Sequence, residues 1–457
     1  MTALLSDYVV ILVLTSMAIT GAALYTSVIW AIAALLIFVY LIFVMSRLAP
    51  ASLILLAPLL FLRVTEFISG VAIESGAYMD ELYRSGFANG AFTRLLLIYG
   101  LYFAVASLII EFVWQDLSEK FRASVDEWDR HLQPVVYVAY AYMLLVFGVL
   151  AYLAVFDSIP LLTGEDRFAF RWRLNSPILD AILNNRNIFA PLFGCLIVVP
   201  KFRKIGLAVL GATLLLTVSI GDKFTAVVTL GLTATIPLGL AHIASGRDLP
   251  LRTLLVTPII LSAITIPLIL LAYGGADDFD GAIERLASRA AAQGELWFVT
   301  DTNYFQLFAS NFGPLIADFQ TWFDVTAQDP KQIRTTFGLY WIMSDYVPAV
   351  QLAGIMDTTG GYVFGQQPYL LRTVGYVGLA LFAVLFATLH AALMWALVTS
   401  IARVNIVAVL IAGRVLVALY GYYYTGNLYI VFGVKNLIAL LLLVGALYVG
   451  RYRVVWR

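Results

Sequence analysis

Apolar residues in this chain come in stretches close to the ~20 residues that an α-helix needs to cross a bilayer. Read against that length, they fall at 8–24, 25–45, 52–73, 95–114, 133–156, 188–200, 205–220, 224–244, 251–275, 373–398, 406–424 and 429–450. Only 12% of residues are charged, where a soluble domain carries roughly a quarter. The surface a soluble fold needs is missing. The expectation is an all-α polytopic membrane protein of about twelve spans.

The sixth and seventh stretches are short, and the first two leave room only for a tight hairpin. The segment before the first stretch lacks a basic region and that stretch is long, so no cleavable signal peptide is expected. One cysteine, Cys195, excludes an internal disulfide and any cysteine-based metal cluster. The charge balance of 28 basic to 28 acidic residues gives no reason to expect nucleic acid as a partner.

Basic residues in alternate loops set the orientation. With the N-terminus cytoplasmic, Arg47, the Lys120/Arg122/Arg130 loop, Lys201, Arg203, Lys204, Arg247, Arg252, Arg403 and the Arg451/Arg453/Arg457 tail all fall inside. Both termini are then cytoplasmic. Three parts follow: spans one to nine in 1–275, with an external loop at 157–187; a large external loop at 276–372; and spans ten to twelve in 373–457. The large loop is too long for a bare connector and carries Trp297, Trp322 and Trp341, so it reads as an ordered subdomain of amphipathic helices. Within it, Thr335–Leu352 is apolar enough to dip into the bilayer.

Arginines outside run against the positive-inside tendency. The first loop holds Arg167, Arg171, Arg173 and Arg186. In the second, Arg285, Arg289 and Gln293 are spaced by four on an Ala-rich helical stretch, which puts them on one face. No carboxylate stands three or four residues before Arg285 or Arg289, and Arg167 and Arg171 repeat the spacing. Guanidinium forks match phosphate oxygens bidentately, so the pattern fits a bound polyanion such as a lipid-linked pyrophosphate. The alternative is pairing with nearby acids, among them Glu165 and Asp166.

Arg63, Arg414 and Lys435 lie inside spans, where a charge normally faces a cavity or a partner. Glu66, one turn after Arg63, could neutralise it. Arg414 has no acid within a turn. It precedes Tyr420, Tyr422, Tyr423, Tyr424 and Asn427, a run suited either to a sugar-stacking wall or to an interfacial belt. Gly221-Asp222-Lys223, at an outside turn between two spans, reads either as facing the cavity or as a simple polar turn. The three histidines, His131, His242 and His390, all fall toward the inside, which leaves external chemistry without an imidazole base or a histidine metal site. External carboxylates able to act as a base are Glu165, Asp166, Glu295, Asp301 and Asp345.

Three stretches carry a resemblance: Ser158-Ile-Pro-Leu-Leu-Thr-Gly-Glu-Asp-Arg167, Gly221-Asp-Lys-Phe-Thr225 and Arg289-Ala-Ala-Ala-Gln-Gly-Glu-Leu-Trp297. With the topology, they resemble the Wzy-type O-antigen or oligosaccharide repeat-unit polymerases. The resemblance implies a periplasmic-face glycosyltransferase of a bacterial inner membrane, moving a glycan from undecaprenyl pyrophosphate onto a new lipid-linked repeat unit. It implies no metal, cofactor or nucleotide sugar; the partners would be lipid-linked glycans, membrane lipids and a chain-length regulator. Carried over residue by residue, Arg167, Arg171 and Arg173 would bind substrate and Arg285 and Arg289 would be catalytic. Glu295 joins them as the candidate base, and Gln293, Trp297, Arg414 and Tyr424 as further substrate contacts. The sister O-antigen ligases use a histidine in the large periplasmic loop, and residues 276–372 contain none. A lipid-linked oligosaccharide flippase remains the alternative from another class, and a scaffold within an export complex a third.

Overall fold

A computed structural model describes residues 2–79, 82, 84–125, 127–163, 165, 170, 173–174, 176–221, 224–249, 263, 291–308, 311–323, 336–357 and 364–449. Helices dominate them: α1 (Thr2–Leu24), α2 (Ile29–Leu48), α3 (Pro50–Glu74), α4 (Ala91–Val125), α5 (Gln133–Phe156), α6 (Pro177–Val198), α7 (Arg203–Ser219) and α8 (Phe224–Ala244) come first. Four short helices follow, α9 (Glu295–Asn303), α10 (Gly313–Thr321), α11 (Gly338–Met343) and α12 (Ala349–Asp357). Then come α13 (Gln366–Ala402), α14 (Ile406–Thr425) and α15 (Val434–Val449). A two-residue antiparallel ladder, Tyr78–Met79 against Arg84–Ser85, links α3 to α4.

Among the described residues, eight helices are long and apolar enough to cross a bilayer: α1 to α5, α8, α13 and α14, with shorter apolar helices in α6 and α15. The protein is a helical, multi-pass membrane protein. Ten of the twelve apolar stretches coincide with a helix; the twelfth, 429–450, divides at Gly433 into Tyr429–Phe432 and α15, and the ninth, 251–275, lies outside the described residues apart from Ala263. Exposed side chains on α1, α2 and α5 include Leu12, Leu36, Leu144 and Phe147. In water such rows would be a liability; against lipid they match the solvent.

Local chemistry explains the joints. Gly21 lets the Trp30 ring close the first hairpin, and Trp30 Nε1 donates to the Tyr25 carbonyl at 2.8 Å. Pro50 opens α3 directly after α2, in the first turn, where its missing N–H costs nothing. The centre of the molecule is α3, α4, α13 and α14. On one side α1 and α2 flank this core; α6, in contact with α14, continues it into α7 and α8 on the other.

The expected tenth span differs in an important way. Helix α13 begins earlier, at Gln366, and breaks at Gly375 (φ 68°, ψ −178°), a conformation essentially confined to glycine. The two arms fold back on each other. Gly365 N, just before Gln366, donates to the Tyr424 carbonyl at 2.8 Å, and the Phe386 ring stacks 4.4 Å from the Tyr422 ring. In one straight helix Gln366 and Phe386 would stand about 30 Å apart. Gln306 staples the bend: its side-chain amide donates to the Leu371 and Arg372 carbonyls, while its own carbonyl accepts from Tyr376 N. The arm Gln366–Val374, about 14 Å of helix, therefore re-enters between the long helices.

Thr335–Leu352 does not form one continuous helix in its described part. It divides into α11 and the start of α12, separated by the turn through Asp345 and Pro348. Helix α11 lies beside the re-entrant arm, with the Trp341 ring 5.9 Å from that of Tyr369 and Leu339 against Gly365.

Candidate functional site

The Arg285 and Arg289 side chains lie outside the described residues, as do Arg167 and Arg171. What the structure describes is the end of the second motif and its seat. Ala291, two residues past Arg289, offers its carbonyl to Ser69 Oγ of α3, and Gly294 N donates back to that same oxygen at 2.9 Å. No side chain fits at Gly294, whose Cα faces the Phe92 ring. Trp297 is buried, its indole N–H donating to the Ala91 carbonyl at 2.9 Å. That makes it an anchor in the interior rather than an open platform for a sugar. Glu295 is likewise buried in the first turn of α9, and Gln293 is half-buried beside it.

Two arginines that sequence reasoning passed over fasten this seat. Arg94, near the start of α4, donates from Nε to both Asp301 oxygens at 3.0 and 3.2 Å and pairs through Nη2 as well. Tyr376, the first residue after the α13 bend, donates its hydroxyl to Asp301 Oδ1. One carboxylate on α9 thereby ties α4 to α13. Further along, Arg372 pairs with Asp345, lies 3.7 Å over the Trp341 ring and is met by Tyr304, whose hydroxyl donates to Asp345 at 3.0 Å. Asp301 and Asp345, offered above as free bases, are thus the counter-charges of these arginines. Asp301→Asn keeps one acceptor oxygen but loses the charge. It is expected to cost about 2 kcal/mol, read as a lower thermal midpoint in detergent, with Asp301→Ala costing more.

Deeper, Arg63 and Glu66 form a fully buried pair at 2.9 Å, about 16 Å from the Glu74 end of α3. The pairing that the i, i+3 spacing allowed is the one observed. Tyr99 donates its hydroxyl to Glu66 at 2.7 Å. Aromatic faces enclose the guanidinium: Phe364 at 4.4 Å, Tyr99 at 4.7 Å and Tyr423 at 5.8 Å from their centroids. Cation–π attraction of this kind strengthens when desolvated. Tyr423 and Tyr102 share a hydrogen bond at 2.5 Å, and Tyr102 meets His390 Nδ1 at 2.6 Å. The network joins α3, α4, α13 and α14, with Phe364 bringing in the start of the re-entrant arm.

Tyr424 stacks on Phe364 at 5.6 Å, and its carbonyl accepts from Gly365 N at 2.8 Å. The tyrosine run therefore faces the interior and the arm rather than forming a belt. Gly426 (φ +72°) touches the Gly365 carbonyl, leaving no space for a Cβ. Gly426→Ala combines that overlap with left-handed strain, and a loss of about 2 kcal/mol is expected in a melting experiment. Arg414 is exposed on α14 and does not enter the Arg63 network.

In the first loop, Arg173 is held by Asp157 at 2.5 Å and by Glu165 at 2.9 Å. This is the acid pairing weighed above against anion binding. Arg173 holds the Glu165 carboxyl below the usual glutamate range, helped by the Ser158 hydroxyl. A depressed value means the pair is intact at neutral pH and is lost as pH falls through that value. Among the described residues, no group of three His, Cys, Asp or Glu side chains could hold a metal ion.

A family of unknown function, DUF6418, matches residues 333–440, about a quarter of the chain. That stretch takes in α11, the re-entrant arm, His390 and the tyrosine run, and ends before Arg285 and Arg289 are reached on its N-terminal side. No curated protein and no solved structure matches the chain.

Proposed function

We propose that this protein polymerises undecaprenyl-pyrophosphate-linked oligosaccharide repeat units into O-antigen or a related polysaccharide at the periplasmic face of a bacterial inner membrane. The observation that carries the reading is the seat of the second motif. Ser69, Ala91 and the Arg94–Asp301–Tyr376 junction fix the residues directly after Arg289 to α3, α4 and α13. A catalytic guanidinium needs such fixed surroundings, because preorganised donors stabilise developing charge without reorganising at the moment of reaction. With cytoplasmic termini, this end of the bundle faces the periplasm.

In the reaction, the bond from the anomeric carbon to the pyrophosphate oxygen breaks as the acceptor sugar's hydroxyl oxygen bonds to that carbon. Arg285 and Arg289 take the charge gathering on the departing pyrophosphate, and Arg167 and Arg171 hold the lipid-linked diphosphate of the second unit. The acceptor proton passes to a carboxylate, with Glu295 the candidate closest to the motif. Partners are the lipid-linked glycans, membrane lipids and a chain-length regulator.

Loss of one such donor costs about 10²–10³ in rate. In cells dependent on this chain, Arg289→Ala and Arg285→Ala are expected to remove long polymer while products one unit long persist. Unchanged chain-length distributions in both variants would refute the site. The buried Arg63–Glu66 pair favours one second reading, a lipid-linked oligosaccharide flippase, because charges at mid-membrane commonly mark a transport path. That reading predicts that Arg289→Ala leaves polymer length unaltered.

A further inference from the structure

Helix α10 is amphipathic the wrong way round for water. Phe312 at its N-cap, Ile316, Phe319 and Phe323 just beyond its end are all between 52% and 64% exposed. At about 100° per residue these four fall within about 60° of one another, on one face. The only charge in the helix, Asp318, is fully buried on the other. Its carboxylate accepts from Leu428 N at 2.7 Å, Tyr429 N at 2.9 Å and Trp322 Nε1 at 3.2 Å. The Trp322 ring stacks on Phe432 at 4.9 Å, and its carbonyl accepts from Val434 N at 2.9 Å. An inward carboxylate and an outward apolar row suit a helix whose solvent is hydrocarbon; in water the row would be a liability.

Height decides between lipid and water. Before α10, the Phe308 backbone packs on Gly375 at the α13 bend. After it, Trp322 meets Phe432, whose ring lies 6.2 Å from that of Phe386. The helix therefore lies beside the length of α13 between Gly375 and Phe386, about 16 Å. Val377, Leu381 and Leu385 are the exposed stripe of that length. Below it the bundle is too short to fill a bilayer alone. Helix α15 starts at the height of Phe432 and has 16 residues, about 24 Å, with Arg451 close behind. The hydrocarbon core is ~30 Å thick. About 6 Å of it must then lie above the α14–α15 joint, where α10 is docked. Lys435, at this height, is within a side chain's reach of the headgroups. Below the joint the apolar surface continues through Ile438, Leu441 and Leu442, all exposed.

We infer that α10 is embedded in the bilayer, its Phe312–Phe323 stripe packed against acyl chains of the leaflet on the rim side. The stripe continues the lipid-facing surface of α13 and α15, which is what commits it to lipid. Asp318 clamps the helix to the α14–α15 joint, and Gln306 staples the chain just before it to the α13 bend. The large loop is thus fastened into the membrane soon after α9, which holds the Asp301 junction close over the lipid headgroups. The inference needs only the membrane-spanning bundle and stands whether or not the chain is a polymerase.

The test uses the full-length protein in liposomes of phosphatidylethanolamine and phosphatidylglycerol, with a nitroxide on one introduced cysteine at a time. Cys195 is buried and takes no label. Power saturation reads collisions with oxygen, which concentrates in hydrocarbon, and with a water-soluble nickel chelate. Leu144 on α5 serves as the lipid reference and Lys120 on α4 as the water reference, both exposed. The sites Ile316, Phe319 and Phe323 are exposed too, so labelling does not put folding at stake. At each of them the ratio of oxygen to nickel collisions is expected to stand at least tenfold above the Lys120 value, as at Leu144. A ratio equal to that at Lys120 would overturn the inference by placing α10 in water. Shielding from both reagents would overturn it as well, since a protein surface would then cover the stripe.

Discussion

Arg63→Ala is expected to destabilise the protein by about 4–5 kcal/mol, enough to remove most folded material. Breaking a buried pair leaves one charge uncompensated, which costs more than the pair itself is worth. Here the stranded group would be Glu66, fully buried and left with Tyr99 as its donor. The substitution also empties the space between the Phe364, Tyr99 and Tyr423 rings. A cycle isolates the cause. The double variant Arg63→Met, Glu66→Leu replaces both charges by apolar side chains and is expected to recover most of the loss, measured as thermal midpoint in a single detergent. If each single variant melted like the wild type, the pair would have no structural role. If the double variant folded but lost activity, the charges would serve function instead.

Gly375→Ala is expected to cost about 3–5 kcal/mol and to unseat the re-entrant arm. Two penalties combine: a conformation that a Cβ disfavours by about 1–3 kcal/mol, and overlap with the Phe308 and Leu307 backbone, where a Cβ would meet carbonyl carbons at 2.8 and 2.9 Å. A cysteine pair at Trp341 and Tyr369, whose ring centroids lie 5.9 Å apart, reports the arm through a flexible bis-maleimide, since a direct disulfide needs Cβ atoms within about 4.5 Å. Bridging should be efficient in the Gly375 background and lost on substitution by alanine. Gly100→Ala is the control. That glycine sits within α4 with open space around it, so alanine should leave the melting temperature unchanged or raise it slightly.

The long helices were legible because one physical quantity, bilayer thickness, sets the length of each apolar run. The arm was not. Residues 366–374 include Gln366, Gln367, Pro368 and Arg372, so hydropathy starts the span after them and reads them as loop; only Gly375 marks the bend. The Arg63–Glu66 pair was readable from its i, i+3 spacing, since both partners share one helix. Arg94 and Asp301 are 207 residues apart, and no local pattern joins them; a helix-end arginine at a lipid interface looks ordinary. Arg173 carried its own signal, with Asp157 and Glu165 in the same loop. Trp297 misled because an aromatic within a motif suggests a contact surface. Its indole N–H instead satisfies the Ala91 carbonyl at the start of α4.

Reconstitution tests the central claim most directly. Purified protein in liposomes is given one synthetic undecaprenyl-pyrophosphate-linked repeat unit, with EDTA present and no nucleotide sugar, and products are resolved by size while released carrier lipid is quantified. The account predicts a ladder of glycan lengths with one undecaprenyl pyrophosphate freed for each unit added. Movement of intact substrate across the bilayer, with no ladder and no carrier released, would contradict it.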